Sequence, residues 1–179
     1  MGGRVARTFR GRPVVAGDVT GEALVTHSGF NSLASFYHSM LSRATRAICS
    51  DQDNQELYGK DLTGKIICLP KSTGSTSAGA TWDRVAHMGI APLAMLFSQR
   101  IDSLAAAGLT LARMWAGRTI YAVDELGDAF LDYVREGDHI HIGEDGVVLV
   151  GRRGANARSS ESHADAEGLA QEEEHCERA

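Results

Sequence analysis

The chain has 179 residues, 43% of them hydrophobic and 23% charged, an ordinary globular balance for one domain with a real core. Its formal net charge of −5 argues against a nucleic-acid binder driven by phosphate contacts. No apolar run approaches the roughly 20 residues of a membrane span.

In chain order, Arg4, Arg7, Arg10 and Arg12 precede any acid, and Val14-Val15-Ala16-Gly17 follows at once. A transit peptide is conceivable from this pattern, but it lacks the usual length and serine content, and the reading favoured is a basic first strand. Thr8 to Val15 predicts a strand broken by Gly11 and Pro13, and Glu22 to Thr26 a second strand. His27 to Asn31 reads as loop. Leu33, Phe36, Tyr37, Met40 and Leu41 recur at helical spacing and predict a helix. Ala47-Ile48-Cys49 is a short apolar run, and Ser50 to Gln55 reads as a solvated loop. Its two carboxylates lack the pattern of a calcium loop.

Lys65-Ile66-Ile67-Cys68-Leu69 predicts a central strand that stops at Pro70. A small-residue loop follows, Lys71-Ser72-Thr73-Gly74-Ser75-Thr76-Ser77. Ala78, Trp82, Val85 and Ala86 then predict a helix closed by Gly89. Leu93 to Phe97 reads as a strand buried on both faces. Ile101 to Ala107 predicts a helix ended by Gly108. Thr119 to Val123 predicts a strand, and Asp124 the cap of a helix carrying Leu126, Phe130, Leu131 and Val134. Asp138 to Ile142 and Val147 to Val150 flank Glu144-Asp145-Gly146, a hairpin signal. His139 and His141 alternate along an exposed strand face. From Gly151 the apolar pattern ends, so the domain spans residues 1–150. Residues 151–179, with Glu172-Glu173-Glu174, read as a disordered or loosely helical acidic tail.

The three cysteines, Cys49, Cys68 and Cys176, are not at metal-ligand spacing. Their odd number, with no signal peptide, points to a reducing, cytoplasmic location. Cys68 reads as a buried small hydrophobe. This chain alone lacks the thiolate set of an iron–sulfur cluster, and no metal site is expected in it.

The strand–loop–helix at Leu69 to Ala80 is the candidate site. Such a loop gathers backbone N–H groups and short hydroxyls at the positive end of a helix, which suits an anionic ligand or a serine that gives up its proton. Ser75, Thr76 or Ser77 equally serves as an ordinary helix N-cap. The loop has neither the Gly-Lys-Ser/Thr of a phosphate-binding P-loop nor the spaced glycines of a dinucleotide fingerprint. Early strands and a closing hairpin flank a strand–helix–strand–helix–strand–helix centre. This order predicts an α/β, three-layer β/β/α fold, with parallel strands between helices and a second β layer.

Several stretches, in order, resemble the small subunit or swivel domain of the aconitase X family. They are Gly11-Arg12-Pro13 leading to Gly21 to Val25, Leu57 to Ile66, Leu69-Pro70 with Gly74-Ser75-Thr76, Gly89 to Met95, Ile101-Asp102, Gly108 and the Gly137-Asp138 hairpin. The resemblance covers about residues 8–150. It implies a swivelling domain like the C-terminal domain of aconitase and a hydro-lyase (dehydratase) subunit, active only with a large-subunit partner that holds an iron–sulfur cluster. Ser75 matches the family's base serine, and Lys71, Thr73, Gly74, Thr76 and Ser77 fall at the substrate-binding loop. The implied substrate is a small hydroxy acid, cis-3-hydroxy-L-proline foremost; dehydration of phosphomevalonate is also known in the family. Two departures stand out. Thr73 occupies the place where many members carry arginine, leaving Lys71 as a substitute cation without the bidentate fork. The segment from His27 to Asn54 is unlike the family's glycine-rich loop. A phosphohistidine carrier domain of similar shape would need a histidine in the loop, and Lys71 to Ala80 contains none. A non-catalytic, anion-binding regulatory module remains the alternative.

Overall fold

A computed structural model describes residues 6–74 and 78–151. The elements in chain order are β1 (Arg7–Arg10), β2 (Arg12–Val15), β3 (Val19–Val25), β4 (Phe30–Asn31), α1 (Ser32–Leu41), β5 (Ile66–Leu69), β6 (Ser72–Thr73), α2 (Ala78–Met88), β7 (Ala94–Phe97), α3 (Ser103–Trp115), β8 (Tyr121–Asp124), α4 (Asp128–Tyr133), β9 (His139–Ile142) and β10 (Val147–Gly151).

The main sheet has the order β1-β10-β9-β3-β5-β7-β8-β2. Strands β3, β5, β7 and β8 run parallel, and the outer pairings are antiparallel. β1 and β2 stand at opposite ends of that order yet are consecutive in sequence, joined through Gly11. The sheet therefore closes on itself, almost a barrel.

Side-chain alternation in the parallel strands divides the interior in two. Ile67, Leu69, Met95, Phe97 and Ala122 face the helices, and Ile66, Cys68, Ala94, Leu96 and Val123 face the barrel interior. Both faces are buried, which is why β5 and β7 read as unbroken apolar runs. On the helix side, Phe30, Phe36 and Trp82 pack with ring centroids 5.6–6.1 Å apart and tie β4, α1 and α2 into one unit. On the other side, Phe130 and Leu131 of α4 sink into the barrel beside Phe9. The arrangement is the expected three-layer β/β/α fold.

The central elements lie where the sequence puts them. α2 ends at Gly89 with paired bonds, Gly89 N–H to Ala86 O (3.0 Å) and Ile90 N–H to Val85 O (3.1 Å). The hairpin of β9 and β10 forms as expected, with His139 exposed and His141 Nε2 3.1 Å from Asp18 Oδ1. Cys68 is fully buried, and burial pushes its thiol far above the usual range.

Four expectations need correction. Gly11 separates β1 from β2 as expected, but Pro13 lies inside β2, the last strand of the sheet order, where it goes with a register shift between Pro13 and Val15 and not with the end of the strand. Gly108 does not end a helix, because α3 runs on to Trp115. A Cβ on Gly108 would lie 2.8 Å from Gly79 Cα and 2.8 Å from Trp82 Cδ1, so this glycine permits the close crossing of α2 and α3. Asp124 caps nothing. It is fully buried at the end of β8, accepts two bonds from the Arg12 guanidinium (3.0 and 2.6 Å) and a third from Ile101 N–H (3.0 Å). α4 starts after Gly127 instead, with no side-chain cap. Finally, the Ser50 to Gln55 loop is not simply solvated, since Asp51 and Asn54 are buried.

Candidate active site

The loop after β5 leaves the sheet at the carboxyl ends of the parallel strands, the end at which open α/β sheets receive ligands. Among the described residues, α1 after Asn31, α2 at Ala78 and α3 after Asp102 begin there, and α4 follows β8 at the same end. The described part of the loop is stitched to its neighbours on both sides. On one side, β6 pairs in parallel with β4, and Phe30 N–H donates to Lys71 O (3.0 Å). On the other, Ser98 N–H and Gln99 N–H donate to Leu69 O (2.9 Å) and Pro70 O (3.1 Å), and Ser72 Oγ donates to Asp102 Oδ2.

Asp102 also caps α3, its Oδ1 accepting from Leu104 N–H and Ala105 N–H, each at 2.9 Å. Partial burial pushes this carboxyl up. The bonds from Ser72 and the two amides outweigh that effect and hold it below the usual carboxylate range. Asn31 does the matching work for α1, accepting from Ala34 N–H at 3.2 Å. Gly74 lies against it with φ +109°, and a Cβ on Gly74 would come 2.8 Å from Asn31 Oδ1. Only glycine fits that approach and that backbone angle without strain.

Of the residues singled out in the sequence, the structure brings Lys71, Thr73 and Gly74 together on this one exposed segment. Lys71 makes no ion pair among the described residues. Thr73 packs beneath Gly29, where a Cβ would come 2.3 Å from Thr73 Cγ2. Ser75, Thr76 and Ser77 lie outside the described residues.

Two supports were not read from local pattern. Asn31 caps its own helix through its side chain and shapes the seat of Gly74. Asn54 is 1% exposed, and its amide bridges Leu57 N–H (3.2 Å) and Gly29 O (3.5 Å), fixing the turn that covers Thr73. Its partner is 25 residues away, so no local pattern marks it.

Among the described residues, no three His, Cys, Asp or Glu side chains converge on a point that would hold a metal ion. Cys49 and Cys68 are both buried, and desolvation raises both thiols. These residues do not fit a cluster held by this chain's described part. No described helix is long and apolar enough to cross a membrane.

The model of the aconitase X swivel domain matches residues 8–150. The chain belongs to the aconitase X swivel-domain family. The phosphomevalonate dehydratase small subunit of Aeropyrum pernix is 30% identical over 142 residues, covering 79% of this chain and 92% of that protein. The corresponding small subunit of Archaeoglobus fulgidus is 25% identical over 137 residues, covering 76% and 92%. In fold, the chain is similar to crystalline Thermococcus kodakaraensis aconitase X in its holo form. The TM-score is 0.68 at 21% identity, over 80% of this chain and 98% of that one. This aconitase X swivel domain is thus a hydro-lyase subunit of the dehydratase small-subunit kind.

Proposed function

We propose that this chain works with a large subunit to dehydrate a small hydroxy acid, with Ser75 as the base. What carries the reading is the seat of the loop: Gly74 pressed on the cap of α1, Ser72 bonded to the cap of α3, and α2 starting directly behind. Ser75 follows this anchored segment in sequence and matches the base serine implied by the family.

Dehydration removes a proton from the carbon beside a carboxylate and expels a hydroxide from the next carbon. A serine hydroxyl is a weak base until its alkoxide is stabilised. Backbone N–H groups from Gly74 to Ser77 and the positive end of α2 supply that stabilisation once the partner excludes water. Thr76 and Ser77 hydrogen-bond substrate oxygens, and Lys71 offers a point charge to a carboxylate in place of the arginine that Thr73 lacks. An iron–sulfur cluster on the large subunit, when bound, supplies a Lewis acid for the leaving hydroxyl.

The names of both curated relatives put phosphomevalonate first among compounds to test, with cis-3-hydroxy-L-proline second. The test is co-expression with the cognate large subunit, anaerobic purification and assay of both compounds. The wild-type complex turns over one of them, and Ser75→Ala abolishes turnover while leaving assembly intact. Near-normal turnover in Ser75→Ala removes the base assignment. Lost turnover with unchanged ligand affinity separates proton transfer from binding.

A further inference from the structure

Asp102, to which the candidate loop is tied, is itself held on every side. Its Oδ1 accepts from the first amides of α3, and Ala106 N–H donates to its carbonyl (3.0 Å). Ile101, the residue before it, is buried and donates its N–H to Asp124 Oδ2 (3.0 Å). That carboxylate is fully enclosed and clamped by the Arg12 guanidinium. Further along, α3 lies against α2 at the Gly79–Gly108 crossing. The backbone at Asp102 therefore does not shift without disturbing the end of β8 or the packing of two helices.

The loop has no such frame of its own. β6 is two residues long and pairs with the two residues of β4. Lys71, Thr73 and Gly74 are exposed. Among the described residues, the bond from Ser72 Oγ to Asp102 Oδ2 is the one side-chain hydrogen bond made by Lys71, Ser72 or Thr73. It ends on a carboxylate, and such charge-assisted bonds are roughly twice as strong as neutral ones.

The two oxygens of Asp102 do different work. Oδ1 caps α3, a task that a serine performs about as well. Oδ2 adds nothing to the cap and holds Ser72. A single hydroxyl oxygen taken up by the two amides of α3 has no capacity left for the loop.

We propose that Asp102 is a positioning residue of this enzyme: through Ser72 it carries the rigidity of α3 to the Lys71–Gly74 segment and sets where that segment stands in the assembled complex. The inference rests on the dehydratase reading above and adds to it two residues outside the substrate-binding set. Asp102 acts through Ser72, and Ser72 acts through the backbone of the loop.

The test compares wild type, Ser72→Ala, Asp102→Ser and the double variant as complexes with the large subunit, assayed on phosphomevalonate and cis-3-hydroxy-L-proline. Ser72→Ala removes the donor and leaves the cap. Asp102→Ser keeps a cap on α3 and gives up the second oxygen. Each lowers kcat about tenfold or more and moves KM less, because an error of geometry weighs most in the transition state. In the Asp102→Ser background, Ser72→Ala costs nothing further, since the bond is already gone. The thermal midpoint and assembly of Ser72→Ala stay at wild-type values, which a merely structural role of the bond would not allow. A Ser72→Ala complex within about twofold of wild-type kcat, or an equal loss from Ser72→Ala in both backgrounds, overturns the proposal.

A wild-type complex that dehydrates neither compound instead defeats the function proposed above. The tie is then read by amide hydrogen exchange of the full chain. Phe30 N–H, bonded to Lys71 O, exchanges faster in Ser72→Ala, while Ser98 N–H, bonded to Leu69 O ahead of the loop, keeps its wild-type rate. An unchanged rate at Phe30, or an equal change at Ser98, overturns the positioning role.

Discussion

Replacing Gly108 by alanine tests the packing that carries α2 and the loop before it. The added Cβ would lie 2.8 Å from Gly79 Cα, 2.8 Å from Trp82 Cδ1 and 3.3 Å from Gly79 N. The first and last are backbone atoms, and Trp82 is 1% exposed and held between Phe30 and Phe36, so no neighbour gives cheaply. Overpacking of this kind costs about 1–3 kcal/mol, and the better helix propensity of alanine returns about 1 kcal/mol. With backbone on one side and a fixed indole on the other, the upper part of that range applies, and the net loss is about 1–2 kcal/mol. Gly79→Ala is the control. Among the described residues its Cβ meets only Gly108 Cα, at 3.8 Å, an ordinary contact. Gly79 lies in the first turn of α2, where the propensity gain is smaller than in the middle of α3, so a larger loss at Gly108 is the clash. In thermal unfolding of the full chain followed by circular dichroism, Gly108→Ala lowers Tm by roughly 2–8 °C, and Gly79→Ala leaves it level or raises it. A Gly108→Ala protein as stable as wild type, or a Gly79→Ala protein less stable than it, refutes the close-crossing argument.

The Arg12–Asp124 pair is buried on one side only: the Asp124 side chain is fully enclosed, and that of Arg12 is 46% exposed. Arg12→Ala strands a carboxylate away from water and costs about 2–4 kcal/mol, whereas Asp124→Asn frees a guanidinium that water reaches, and costs less. Urea titration of the two variants checks the order, and the reverse order contradicts it. Asp102→Ala removes the cap of α3 and costs about 1 kcal/mol at neutral pH. The folded-state pKa of Asp102 is depressed, so its charge-dependent stabilisation is complete above the ordinary carboxylate pKa and is lost as pH falls through the folded value. The stability gap between wild type and Asp102→Ala therefore narrows in acid, and a gap that widens there rejects the assignment.

The parts of this molecule that were legible in the sequence are those governed by local pattern. β5 and β7 are apolar on both faces because both faces are covered, and an unbroken run carries that message directly. The strand–loop–helix was visible for the same reason, and the ordered resemblance along the chain supplied the fold. What misled were residues with two possible uses. Glycine ends helices and also lets helices touch; Gly89 does the first and Gly108 the second, and only the partner helix distinguishes them. Asp124 had the look of a helix cap because the position before an apolar stripe favours one. Its real partner is Arg12, 112 residues earlier. Separations of 25 to 30 residues likewise hid Glu56 and Asn54, polar residues in a polar stretch whose partners lie in the turn after β3.

The closure of the sheet has a consequence for how the chain reaches its folded state. β1 pairs Arg7 with Val150 and Arg10 with Val147, while β2, beginning two residues later, pairs Arg12 with Asp124. β1 thus waits for β10, the last described strand, before it can pair. Until then the sheet presents open edges, with the unpaired N–H and C=O groups that recruit foreign strands. Contacts spanning so much sequence are slow to form, because the loop they close must be gathered first. Removing the residues before Arg12 takes β1 away, and β10 is then left with an unpaired edge, the kind that recruits a foreign strand.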